Sequence, residues 1–495
     1  MTEGTHSVSL GKRVRSGAGW NAGSSLMTQV LAIVRSVIIA RLLTPEDFGL
    51  FGMVMTVVGA AGALTSFGFD MSVIVKRQED NSELRRALNT AWTAELVRRL
   101  LISIALLLVV YPVARFYQEP LLLQIMPVIA ITPFIQGFQN IGLVLWRKGL
   151  NFKPLIVYEQ VSSIITTAVA IVFALVLRNY WALVLIQLIG AVISVVLSYI
   201  FNSYRPRLQL DRRLLSESLS FGKHLFFISV MTYATTTADN VMVGRLVGPA
   251  ELGSYQLVYG VAVGIPIAIL MSVTTSVMIP AYAELRDGSA QAIGSVVNRV
   301  LAVGAALLTL MLLPLGLFAA EFVSVVYGAQ WLAAIPLLQV LVLLGFVRGL
   351  TNLLSPVSIG MEHPEMEAKA KTAEGVLYLA VLYVLITRYG AIGAAWAGVI
   401  IYSVAFVIRV HFATRLVDKT MLHIFRTLLV ALSAAVFGAV VGLALTSLLD
   451  SAFLRLFVGT LLSTGAAFVV FVLLLPPVRQ EFTRARAFMR STIGA

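Results

Sequence analysis

The chain has 495 residues, 59% of them hydrophobic and only 12% charged, and a formal net charge of +13. That is too apolar for a soluble enzyme, and it argues against a nucleic-acid-binding protein, whose basic residues must gather on one face of a polar fold. With no cysteine there is no disulfide framework, thiol chemistry or Cys-based metal site. The expected fold class is an all-α polytopic membrane protein.

Apolar segments of roughly 20 residues, the length that crosses a bilayer, are expected at about 18–43, 47–69, 89–114, 121–146, 154–177 and 180–201 in a first half. A second half follows at about 218–244, 250–280, 297–326, 332–357, 367–387 and 390–413, with further segments near 424–449 and 453–475. The expectation is about fourteen transmembrane helices, arranged as two six-helix lobes plus two C-terminal helices. In domains, 1–201 is an N-lobe, 202–217 a linker long enough for relative movement, 218–414 a C-lobe, 415–475 the last helices and 476–495 a basic tail. The basic stretch Lys12, Arg13 and Arg15 precedes a first span too long for a cleaved signal, so that span is read as retained.

A repeated pattern supports the division into halves. Arg41, Leu42, Pro45 and Gly49 recur as Arg245, Leu246, Pro249 and Gly253, with Asp47 and Phe51 meeting Glu251 and Tyr255. Each copy ends one apolar segment and opens the next. Proline in a first helical turn sacrifices no needed N–H, acidic residues suit the positive end of the helix dipole, and glycine allows close packing.

Lysine and arginine alternate along the connections. Clusters such as Lys76, Arg77, Arg85 and Arg86, then Arg147, Lys148 and Lys153, then Arg205, Arg207, Arg212 and Arg213, fall on one side. The other side carries single arginines, among them Arg41, Arg115 and Arg178. The positive-inside rule therefore expects both termini in the cytoplasm, with no external domain.

No phosphate loop, zinc motif or nucleophile elbow is present, so the expectation is a non-enzyme without metal or cofactor. The informative residues are charges within apolar segments, which are costly in hydrocarbon and usually face a cavity or a partner. Arg35 and Asp239 occupy equivalent places in the two halves with opposite charge. They are candidates for a gating pair, and protonation or cation binding at Asp239 would weaken it. Arg98 and Arg99, helical neighbours of Glu95, read either as a snorkelling cluster or as an anion-binding rim. Arg348 is a further anion candidate. Glu159 and Glu374 are read as cation-coupling sites or as half-buried ion pairs, and Arg409 as a residue that snorkels to the interface.

Uncharged polar residues crowd the first helix of each half. Asn21, Ser25 and Thr28 in one, and Thr232 and Thr236 in the other, suit the wall of a hydrated path or, alternatively, hydrogen bonds between helices. Gln136 and Asn140, with Gln139, extend that surface.

Ala-Arg-Leu-Leu-Thr-Pro-Glu-Asp-Phe-Gly-Leu-Phe at 40–51, Ser-Phe-Gly-Phe-Asp at 66–70, Ala-Asp-Asn-Val-Met-Val-Gly-Arg-Leu-Val-Gly at 238–248, Leu-Gly-Ser-Tyr at 252–255 and Tyr-Gly-Ala-Ile-Gly-Ala-Ala-Trp-Ala at 389–397 carry a resemblance. The chain resembles Wzx-type oligosaccharide-lipid flippases, polysaccharide transporters of the multidrug/oligosaccharidyl-lipid/polysaccharide exporter superfamily, and the colanic-acid-like branch in particular. The resemblance implies two lobes around a central cavity, alternating access, and an undecaprenyl-pyrophosphate-linked oligosaccharide as cargo. Membrane lipid, a polysaccharide polymerase and export machinery are the implied partners. Drive comes from an ion gradient, H+ or Na+, or from the substrate gradient itself. Competing readings are a peptidoglycan lipid-precursor flippase, a multidrug–cation antiporter, and a membrane polysaccharide polymerase or ligase.

Overall fold

The computed structural model describes residues 27–65, 69, 73–74, 80–149, 151–273, 290–360, 364–416 and 420–483. Asn21, Ser25 and the basic residues of the tail from Arg484 onward lie outside the described residues. Contacts divide the chain into two compact units, Met1–Gly253 and Ser254–Ala495. The helix of the seventh expected segment therefore belongs with the first unit.

The first unit holds α1 (27–42), α2 (Pro45–Ala63), α3 (Asn81–Leu108), α4 (Val110–Tyr117), α5 (Leu122–Gly137), α6 (Leu143–Lys148), α7 (Phe152–Leu177), α8 (Tyr180–Phe201) and α9 (Arg212–Leu246), and it ends in the first turn of α10 (Pro249–Tyr259). The repeated motif sets the turn between α1 and α2. Asp47 N donates to Thr44 Oγ1 (3.2 Å) while Asp47 Oδ2 accepts from Thr44 N (2.9 Å), a reciprocal capping box with Pro45 just inside the helix. Asp47 Oδ1 also accepts from Tyr180 N at 2.8 Å, so one carboxylate serves the starts of both α2 and α8. Beneath it, Ile39, Leu43, Leu183 and Ile186 pack with the alanines Ala170, Ala174 and Ala182, whose small side chains let the helices approach.

α3 bends by 52° into α4. Pro127 and Pro133 interrupt the hydrogen-bond ladder of α5. Phe134 N instead reaches the buried Ser103 Oγ of α3 at 3.0 Å, which joins the two helices where α5 is weakened.

The connection before α9 is extended through 202–210 and is bound to its surroundings rather than slack. Asn89 Oδ1 accepts from Tyr204 OH (2.7 Å) and Arg207 N (3.1 Å), Thr93 Oγ1 accepts from Gln209 N (3.1 Å), and Thr90 Oγ1 accepts from Asp211 N (3.1 Å). Side chains of α3 thus satisfy backbone donors that a strand partner would otherwise take.

The second unit continues α10 through a π turn at Gly260–Gly264 into Ile265–Val273, then holds α11 (Ala290–Leu317), α12 (Ile335–Gly360), α13 (Pro364–Leu416), α14 (Thr420–Thr446) and α15 (Ala452–Leu474). α13 contains two of the expected segments and turns at Gly390, whose φ of 60° and ψ of −143° only glycine adopts readily. Among the described residues nine helices are long and apolar enough to cross a membrane, or ten with the bent α3–α4 pair. The fold class is all-α polytopic membrane protein.

Candidate functional site: a basic cavity in the first unit

The first unit holds an open cavity of about 650 Å³ lined by α1, α3, α5, α6, α7 and α8. Among the described residues its ionisable lining is Arg35, Arg98, Arg99, Arg147, Glu95, Glu159 and Tyr158, so the described walls carry more guanidinium than carboxylate. A narrower chamber of about 300 Å³ adjoins it, sharing Arg35, Gln136, Thr166 and Ser194 and extending past Ile39, Phe51, Leu183 and Ile186.

Glu95 organises one wall. Arg98 donates Nε to Glu95 Oε2 (2.7 Å) and Nη2 to Oε1 (2.5 Å), while Arg99 Nε reaches the same Oε1 at 2.7 Å. The outer nitrogens are held too: Arg98 Nη1 donates to Thr65 Oγ1 (3.0 Å), and Arg99 Nη1 to Gln136 Oε1 (2.6 Å). Two guanidiniums on one carboxylate leave net positive charge in fixed positions, an arrangement suited to an anion that need not reorganise its site. Arg98 and Arg99, expected as a snorkelling cluster with Glu95 or as an anion-binding rim, line the cavity as a pair braced by Glu95.

Arg35 is different. It lines both chambers and makes no ion pair or hydrogen bond among the described residues. In particular, no ion pair joins it to Asp239, which is buried on α9 with Oδ1 accepting from Asn240 N at 2.9 Å. Arg147 Nη2 lies 3.7 Å from Glu159 Oε1, a loose and half-exposed pair.

The structure brings six of the sequence candidates together in this cavity: Arg35, Arg98, Arg99, Gln136, Asn140 and Glu159. Asn140 has a bracing part there, since it is buried and donates Nδ2 to Tyr204 O at 2.7 Å. Thr28 is exposed and accepts from Gln160 Nε2 at 2.8 Å. Thr232 and Thr236 are exposed on α9 and do not line the cavity; the Thr236 hydroxyl turns back to Thr232 O. Arg348 and Glu374 belong to the second unit. Arg348 donates to Tyr259 OH and stacks 4.8 Å from the Tyr402 ring centre.

Glu374, read from the sequence as a cation-coupling site or a half-buried ion pair, is paired with Arg409. Arg409, expected to snorkel, is instead buried: Nη2 donates to Glu367 Oε1 (2.8 Å) and Nη1 to Glu374 Oε2 (3.0 Å), and Ser355 Oγ adds 2.7 Å to Glu367 Oε1. The two carboxylates lie before the Gly390 turn and the arginine after it, so the pairing closes the α13 hairpin on itself and on α12. The cavity residues missed were Arg147, Tyr158, Ser162, Ser163, Thr166, Gln187 and Ser194. A signal for them exists: Glu159, Ser162, Ser163 and Thr166 fall on one helical face, as do Gln187, Gly190 and Ser194.

The all-helical membrane fold is shared with solved transporters. The chain aligns with a structure of the lipid II flippase MurJ in an inward closed conformation at a TM-score of 0.72 and 15% identity, covering 91% of this chain and 98% of that one. An inward-facing multidrug resistance MATE family transporter of the MOP superfamily aligns at 0.59 and 14%, over 80% and 96%. In sequence, the chain is 24% identical to the lipopolysaccharide biosynthesis protein WzxC of Escherichia coli (strain K12), covering 78% of each. It is likewise 24% identical to the teichuronic acid biosynthesis protein TuaB of Bacillus subtilis (strain 168), over 81% of this chain and 82% of that protein. The model of the polysaccharide biosynthesis protein family matches residues 38–336, more than half of the chain, and the protein belongs to that family.

Proposed function

We propose that the protein is a flippase that carries an undecaprenyl-pyrophosphate-linked oligosaccharide across the bacterial cytoplasmic membrane by alternating access, for exopolysaccharide, capsule or lipopolysaccharide synthesis. The observation that carries this reading is the cavity in which Arg35, Arg98, Arg99 and Arg147 meet among apolar helices. A diphosphate cannot enter hydrocarbon unaided, because its charges lose their solvation. Fixed guanidiniums replace that solvation and match phosphate oxygens in a bidentate fork.

In this reading the chain crosses the membrane fourteen times, both termini are cytoplasmic, and the lipid tail stays in the bilayer while the headgroup passes through. The work is transport and not bond making, so no catalytic residues are assigned. Family membership and relatives such as the succinoglycan biosynthesis transport protein ExoT of Rhizobium meliloti (strain 1021), 24% identical over 67% of this chain, support the choice of cargo. An H+ or Na+ gradient or the cargo gradient supplies the drive, and a polymerase consumes the product on the far leaflet.

Cells lacking the protein should accumulate lipid-linked oligosaccharide and lose surface polysaccharide. The wild-type chain should reverse both effects, and Arg35→Glu, inserted at equal level, should not. Full rescue by Arg35→Glu would remove the cavity from the account.

A further inference from the structure

The polar groups of the cavity fall into two sets. Arg98, Arg99, Glu95, Gln136, Gln139, Asn140, Tyr158 and Ser194 hydrogen-bond to one another or to backbone; Gln139 Nε2, for example, donates to Tyr158 OH at 2.8 Å and to Ser194 Oγ at 3.2 Å. Ser162, Ser163 and Thr166 of α7 and Gln187 of α8, together with Arg35, make no hydrogen bond among the described residues. Hydroxyls on apolar helices ordinarily return to a carbonyl one turn back, as Thr56 does to Gly52 O at 2.8 Å. Ser162, Ser163 and Thr166 line the cavity without such a bond among the described residues.

We propose that this α7–α8 wall, with the narrow chamber beyond Arg35, is a subsite that reads one neutral sugar ring attached directly to the lipid diphosphate. The inference rests on the flippase reading and adds the part of the cargo that the cavity recognises. A pyranose presents hydroxyls that donate and accept, which serine, threonine and glutamine match, and an apolar C–H face, which an aromatic ring matches. The chamber supplies both: Gln187, Thr166 and Ser194 on one hand, Phe51 and Leu183 on the other. Arg35 is its one ionisable lining residue among those described and stands where the two chambers meet. A uronic acid there would draw Arg35 away from the diphosphate, so a neutral ring fits and an acidic one competes.

Gly190 keeps the chamber open. A Cβ at that position would already sit 3.3 Å from Thr166 Cγ2, and a longer side chain projects into the space a ring needs.

The test uses the full chain in nanodiscs and measures binding of undecaprenyl diphosphate, bare or bearing a single glucose, galactose, N-acetylglucosamine or glucuronic acid. At least one neutral ring should tighten binding by about tenfold over the bare diphosphate, the scale of one or two hydrogen bonds. Gln187→Ala and Gly190→Leu should abolish that increment and leave bare diphosphate affinity unchanged; Arg35→Gln should weaken every ligand. Thermal midpoints near wild type establish that the variants are folded, and Gln187→Ala serves alone if Gly190→Leu is not. The subsite is overturned if no ring tightens binding, if glucuronic acid tightens it most, or if the increment survives Gln187→Ala, while an Arg35→Gln effect leaves the flippase reading standing. If bare diphosphate binds no better than a zwitterionic phospholipid and Arg35→Gln changes nothing, the flippase reading itself falls and the subsite falls with it.

Discussion

Gly49 and Gly253 lie where the two copies of the repeated motif cross, and each is pressed against the backbone of the other copy. A Cβ on Gly49 would fall 1.7 Å from Pro249 O, and one on Gly253 would fall 1.9 Å from Pro45 O and 2.8 Å from Gly49 N. Both contacts are inside the first compact unit. Neither neighbour is a side chain that can swing away, so alanine at either position must move a helix start. The crossing explains why both motifs carry glycine at the same place.

Gly49→Ala and Gly253→Ala should therefore separate α2 from the first turn of α10, at a cost of about 1–3 kcal/mol for overpacking. The chain has no cysteine, so a pair introduced at the exposed Glu46 and Ala250 reports cleanly. Crosslinking of that pair should fall severalfold in either alanine variant. Unchanged yield would mean the crossing absorbs a methyl group without opening.

The buried Arg409 network should matter for stability more than its partners' exposure suggests. Glu367→Ala leaves a buried guanidinium short of its main partner and should cost about 3–5 kcal/mol, read as a lower thermal midpoint in detergent. Glu374→Ala should cost less, because the Glu374 side chain keeps 16% exposure against 7% for Glu367. The reverse order would show that Glu374 carries the anchoring charge.

Within the cavity, the two kinds of arginine should separate in experiment. Arg35→Gln removes a guanidinium that pairs with nothing described, so it should lower lipid diphosphate affinity by about tenfold to a hundredfold with little change in stability. Glu95→Gln strips the brace from Arg98 and Arg99 and should lower stability as well as alter binding. Equal stability losses in both variants would contradict this division.

Asp80 gives a pH signature outside the spans. It caps α3 by accepting from Glu83 N at 2.6 Å, and this backbone bond, with the Ser82 hydroxyl, holds its carboxyl below the ordinary aspartate range. The folded carboxyl is the stronger acid, so the cap's contribution is complete above the unfolded aspartate pKa and is lost as pH falls through the lower folded value. Asp80→Asn keeps the acceptor oxygen and should flatten that acid-side dependence of the thermal midpoint. An unchanged slope would assign the dependence to other carboxylates.

Much of the fold could be read from residue types because each signal was local. Pro45, Thr44 and Asp47 mark a helix start by chemistry confined to one turn, and apolar length marks each segment. Arg35, Arg98 and Arg99 stood out as candidates for the same reason: a charge in an apolar helix is costly and usually faces a cavity or a partner. What was not legible depends on long-range packing. Arg409 meets Glu367 only because α13 folds back at Gly390, and nothing near Arg409 in sequence announces it. Arg147 reads as one more basic residue of a connection until α6 turns it into the cavity. The polar faces of α7 and α8 were visible as spacing, but serine and threonine so often bond their own helix that spacing alone does not distinguish a binding wall.

The central claim is that the basic cavity carries a lipid-linked glycan between leaflets. It is tested most directly by sided accessibility in sealed proteoliposomes loaded with native lipid-linked oligosaccharide, using an impermeant glycan-modifying reagent. The wild-type chain should render the inner-leaflet glycan reactive, and Arg35→Glu at equal reconstitution should leave it protected. Reactivity equal to protein-free vesicles in the wild-type sample, with the correct glycan present and the chain folded, would contradict the account.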